Sequence, residues 1–174
     1  MKIYTVFAGA LALIASNAMA LDPERRALIT EPVINFANAI GCSDYGIIGE
    51  ETEEILIAEL GTDESGHYSS YIAFPIVDIE CAGGSGTSAF TPTVVRVDEI
   101  RLRSYVDLQE TSDIEFIGLS TRGLVSVEAL SSDRILISAM QYADGDPNCC
   151  PSEQVSQIYS KHWGRGGFWL PEID

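Results

Sequence analysis

Apolar and polar positions change their period once along this chain, near residue 53. Before it the spacing is helical, and after it the signal is strand-like with frequent turns. Asp22-Pro23-Glu24 is a helix start: Asp22 can accept from orphan amides, Pro23 fits the first helical position, and Glu24 suits the dipole. Ile29, Val33, Phe36, Ala37 and Ile40 then form one apolar face. Core packing, rather than partner binding, accounts for so narrow a stripe. Pro32 is expected to kink or divide the helix, with Thr30 capping the second half. Gly41 stops it, and Cys42 fixes its end.

Strand segments follow at Glu54–Leu60 and Tyr68–Cys81. Pro75 within the second predicts an edge position or a bulge. The pattern continues at Val94–Val97, Ile100–Leu108, Ile114–Leu119, Leu124–Leu130, Arg134–Tyr142, Val155–Trp163 and Phe168–Leu170. Gly61–Gly66 reads as a polar turn and Ala82–Thr91 as a Gly/Ser loop. Ser131-Ser132-Asp133 and Gly164–Gly167 read as hairpin turns. Strand positions greatly exceed helix positions. The expected class is α+β: an N-terminal helix packed on a mostly antiparallel β-sheet or open barrel.

The start of the chain changes the compartment. Lys2, the apolar run Tyr4–Ala15 and Ala18-Met19-Ala20 have the layout of a secretory signal peptide over residues 1–20. Leu21 and Asp22 follow, so no acylated cysteine is expected, and no later apolar run is long enough for a transmembrane helix. Residues 21–174 then form a single domain in the periplasm or outside the cell. The formal net charge is −16, or −17 once Lys2 leaves with the signal. That sign argues against nucleic acid and anionic membranes as partners, and favours solubility, cations or a basic protein.

Export gives the four cysteines their meaning. Cys42, Cys81, Cys149 and Cys150 read as two disulfides. Adjacent residues in an extended segment point apart, which favours different partners for Cys149 and Cys150. Equally, Cys42 can bridge Cys81 and leave a strained vicinal pair. A vicinal redox switch lacks the usual C-x-x-C spacing. Stapling is the simpler role.

The remaining chemistry is thin. Asp144, Asp146 and Asn148 have the i, i+2, i+4 oxygen spacing that opens a calcium loop, but Cys149 and Val155 stand where Gly and Glu are needed. A turn cap explains them more simply, and no cofactor beyond such a cation is expected. Gly83-Gly84-Ser85-Gly86-Thr87 is neither a nucleophile elbow nor a phosphate loop. His67 and His162 are the only histidines, without zinc-type spacing; Asp63 and Glu64 near His67 lie in a polar turn. Tyr159, Trp163, Phe168 and Trp169 gather in the last hairpin, either as an aromatic recognition surface or as its buried contribution to the core.

Asp146-Pro147-Asn148-Cys149-Cys150-Pro151-Ser152, with a Tyr-bearing strand after it, resembles the LppP/LprE-like exported bacterial proteins and related secreted domains ending in D-P-x-C-C-P-[ST]. Gly83-Gly84-Ser85-Gly86-Thr87 is similar to a loop of some of those domains. The resemblance implies structural cysteines and no particular reaction. Together these features lead to the expectation of a non-catalytic exported binding or structural domain that recognises a basic envelope protein or enzyme. A hydrolase with an unrecognised carboxylate or serine site, or a calcium-stabilised domain, stands as the alternative.

Overall fold

Asp22 starts the helix as its side chain allows. Its carboxylate accepts from the Arg25 amide at 2.9 Å, Pro23 follows at the first helical position, and α1 runs over Pro23–Ile40. The computed structural model describes residues 21–41, 55–78, 88–111, 123–147, 150–162 and 168–172. Ile29, Val33 and Ala37, spaced four apart, are the buried apolar stripe of α1, whereas Ile40 is exposed.

Pro32 does not divide α1. Proline removes the amide that would bond the carbonyl four residues back, here that of Leu28. The Ser104 hydroxyl donates to that Leu28 carbonyl from a neighbouring strand. A tertiary hydrogen bond thus replaces the missing helical one. Thr30 is not a cap: its hydroxyl donates to the Ala27 carbonyl at 3.3 Å, inside the helix. The helix ends at Gly41 as expected, but in extended rather than left-handed backbone, with its amide on the Ala37 carbonyl at 2.8 Å.

Ten strands follow among the described residues: β1 (Leu56–Thr62), β2 (Tyr68–Phe74), β3 (Ile76–Asp78), β4 (Ser88–Phe90), β5 (Thr93–Asp98), β6 (Arg103–Val106), β7 (Leu124–Ser131), β8 (Arg134–Gln141), β9 (Glu153–His162) and β10 (Phe168–Pro171). The pairings among them are antiparallel. One four-stranded sheet has the order β1-β2-β5-β6, a second has β10-β9-β8-β7, and β3 pairs with β4. β1 and β7 lie alongside one another, so the two larger sheets meet along one edge.

The first sheet is the middle of three layers. Tyr71 and Ala73 of β2, with Val95 and Val97 of β5, pack against Ile29 and Val33 of α1. The alternate residues Ile72 and Phe74 point the other way, with Ala58 and Leu60, onto Ile135, Ile137, Tyr159 and Trp169 of the second sheet. Each Val, Leu, Ile or Phe side chain among them contributes about 1.5–3 kcal/mol on burial. Burial on both faces is why β2 reads as a near-continuous apolar run where it enters the core.

Three strand expectations shift for local reasons. Pro75 marks neither an edge nor a bulge: β2 is interior to its sheet, and the chain leaves at Pro75 to start β3 beside β4. A bulge lies instead in β1, where Gly61 at φ 114 faces Ser70 after Glu59 faces Tyr71, leaving Leu60 as the extra residue, and β7 shifts register twice against β8. Ile100–Leu102 is not strand. The Asp98 carboxylate accepts the amides of Ile100 and Arg101, each at 3.0 Å, and turns the chain before β6 begins at Arg103. Ser88–Phe90, assigned to the Gly/Ser loop, is strand. The segment Ile114–Leu119 lies outside the described residues.

Ser104→Ala should cost about 1–3 kcal/mol by stranding the Leu28 carbonyl. In a Pro32→Ala background, where an amide returns to that carbonyl, the same change should be nearly neutral. Urea midpoints for the two single variants and the double variant measure that coupling.

Candidate functional site

The aromatic cluster divides. Tyr159 and Trp169 are fully buried in the core between the sheets, so neither belongs to an exposed recognition surface. Trp163 and the Phe168 side chain lie outside the described residues, although Phe168 pairs with His162 and closes the expected β9–β10 hairpin. Of the cysteines only Cys150 is described, and it is not a free thiol. Cys42, Cys81 and Cys149 lie outside the described residues, and so does the pairing. The same holds for Gly83–Thr87 and Asn148.

Asp146 works within its own turn. Its carboxylate accepts the Ala143 amide, the Ser152 amide and the Ser152 hydroxyl, each at 2.8 Å. The Ala143 amide foremost, then Ser152, holds this carboxyl below its ordinary range. Asp144 is exposed. Asp63 does a similar task in the β1–β2 turn. It accepts from the Ser65 hydroxyl at 2.6 Å and from the His67 and Tyr68 amides at 2.8 and 2.9 Å, which lowers its pKa. His67 enters that turn through its backbone, and its carbonyl accepts from the Glu99 amide. Of the four carboxylates marked for chemistry, Asp63 and Asp146 are thus engaged in shaping the chain, while Glu64 and Asp144 are exposed. Among the described residues no group of three or more His, Cys, Asp or Glu side chains is placed to hold a metal ion.

A charged cluster sits at the seam between the sheets. Lys161 lies on the same face of the β9–β10 ladder as Trp169, its cross-strand partner. Its side chain is 4% exposed, and its ammonium meets Glu110 at 2.7 Å. Glu110 also accepts from Arg96 at 3.0 Å, and Arg96 meets Asp107 at 2.7 Å. Burial works to raise the Asp107 carboxyl, but Arg96 and the Glu110 and Gln109 amides outweigh it and leave the pKa lowered. Two cations meet two carboxylates here, so the cluster clasps the second sheet to the turn after β6.

Four of the other described cations are also engaged, whereas Arg103 is exposed and makes no ion pair among the described residues. Arg25 makes a two-pronged pair with Glu99 at 3.0 and 2.6 Å, joining α1 to the β5–β6 turn. Arg101 faces Asp98, Arg134 grips Glu172 at 2.8 and 2.9 Å, and Arg26 donates to the Ile55 carbonyl. Several carboxylates have no cationic partner among the described residues: Glu24, Glu31, Glu59, Glu64, Asp144 and Glu153. Most described cations are thus paired, some at internal seams and some, like Arg101 and Arg134, at the surface, and the exposed unpaired carboxylates outnumber the exposed unpaired Arg103.

One concavity lies within this negative field. A groove of roughly 420 Å³ runs between the first turns of α1 and the β5–β6 turn. It is lined by Asp22, Glu24, Arg25, Ala27, Leu28, Glu31 and Leu102. Ile100 and Leu102 beside it are 68% and 60% exposed. Sequence reasoning missed this place because Ile100-Arg101-Leu102-Arg103 alternates like a strand. The Asp98-Glu99 pair just before it was the available turn signal.

Against protein-family models, curated proteins and solved structures, the chain finds no match.

The charged seams give two predictions. Glu110→Leu should destabilise by about 3–5 kcal/mol because it removes the carboxylate facing a buried ammonium, whereas Lys161→Met should cost much less. Chemical denaturation of both variants measures the asymmetry. Glu172, held by Arg134 and by the Ser160 hydroxyl, has its pKa lowered from 4.5 to about 2. Its contribution to stability is therefore complete above pH 4.5 and disappears as pH falls toward 2. Glu172→Gln should flatten the acid limb of a Tm-against-pH curve in that window.

Proposed function

We propose that the chain is an exported, disulfide-stapled α+β domain that acts by binding, without catalysis, and that its partner is a basic protein or enzyme of the cell envelope. The observation that carries this reading is the division of charge. Arg25, Arg96, Arg101, Arg134 and Lys161 are each held in ion pairs, while acids such as Glu24, Glu31 and Glu64 have no cationic partner among the described residues. The formal net charge of −16 therefore reaches the surface mainly as exposed carboxylates, against which Arg103 is an exposed cation outside these pairs. Such a field steers a basic partner and repels anionic ones. The signal-like residues 1–20 and the four cysteines supply export and stapling in this reading.

The test uses the oxidised chain against purified proteins of similar size and opposite charge, one of them a basic muramidase. Binding to the basic protein is expected, with affinity falling at least tenfold between about 50 mM and about 500 mM salt. Equal affinity for the acidic protein, or no dependence on salt, overturns the reading.

A further inference from the structure

The groove beside α1 contains an apolar residue in an unfavourable backbone state. Leu102 adopts φ 51, the left-handed region, where a Cβ costs about 1–2 kcal/mol, Gly escapes the clash and Asn offsets it by local hydrogen bonding. Its side chain is 60% exposed, so burial within this fold does not offset that cost. Together with Ala27 and Leu28 it forms the apolar part of the groove. Glu24 and Glu31 lie on the Leu28 side of α1, at four residues before and three after it, and Asp22 closes the end. Arg25, the cation that lines the groove, is engaged by Glu99; of the two arginines flanking Leu102, Arg101 faces Asp98 and Arg103 is exposed, and neither lines the groove. Apolar floor and anionic rim therefore face solvent together.

We infer that this groove docks a basic amphipathic segment of a partner protein, its aliphatic side chains covering Leu28 and Leu102 and its Lys or Arg groups meeting Glu24 and Glu31. This rests on the proposed function and assigns its site. A second copy of this chain is a poor occupant because it brings the same negative field, and an anionic lipid surface is repelled for the same reason. The basic segment alone satisfies both the floor and the rim.

The probe is a short fluorescent peptide of repeated Leu-Lys-Lys-Leu units, followed by anisotropy with the oxidised chain. Leu102→Asn should weaken binding roughly tenfold while Tm stays level or rises, because Asn tolerates the left-handed backbone. Glu31→Lys, at an exposed helical position, should weaken binding and flatten its salt dependence. A peptide with Ser in place of Leu should bind at least tenfold more weakly than the parent. Equal binding of the Ser peptide, or wild-type affinity in both variants, overturns the groove while leaving a basic partner in place elsewhere on the chain. Failure of the wild-type chain to bind any Lys-bearing peptide or the basic muramidase overturns both. Dimerisation of the wild-type chain that Leu102→Asn abolishes would also overturn the proposal, since the occupant is then a second copy.

Discussion

Everything in this fold depends on β2 being buried on both faces. A strand with one wet face needs a single packing partner; β2 needs one on each side. α1 covers one side through Ile29 and Val33, and the second sheet covers the other through Ile135, Ile137, Tyr159 and Trp169. Neither cluster could be lost without exposing one face of β2. The three layers are therefore one cooperative unit, although the clusters share no side chain.

That arrangement dictates where charge goes. Each seam around the middle sheet ends in a polar lock. Arg25 and Glu99 close the helix side, and Lys161, Glu110 and Arg96 close the side between the sheets. Partly shielded pairs resist salt better than exposed ones, and orientation adds specificity that apolar packing lacks. The outer charge follows as a remainder. An acid-rich chain that commits most of its described cations to ion pairs leaves exposed carboxylates in excess, so architecture and surface field are linked.

Pro32 and Ser104 show how far local rules extend. The helix breaker was legible, and its usual consequence was expected. What prevented a break was a hydroxyl more than seventy residues away, on a strand that packs against α1. No window of the sequence contains both groups. The same limit hid the groove: Leu28 and Leu102 meet only after the β5–β6 turn folds back beside the helix.

The residues by themselves determined the helix and its Asp22 cap, the strand-rich remainder, the Ser131–Asp133 hairpin turn and the acidic balance, because period, capping and charge act within a few residues. Tertiary structure alone decided that Pro32 lies in an unbroken helix, that Pro75 releases the chain into a second strand pair, and that Tyr159 and Trp169 face inward. It also decided which carboxylates were taken by turns or cations and which were left to solvent. The physical reason is the same throughout: a carbonyl, an ammonium or an aromatic ring takes its role from the groups around it, and those come from distant parts of the chain.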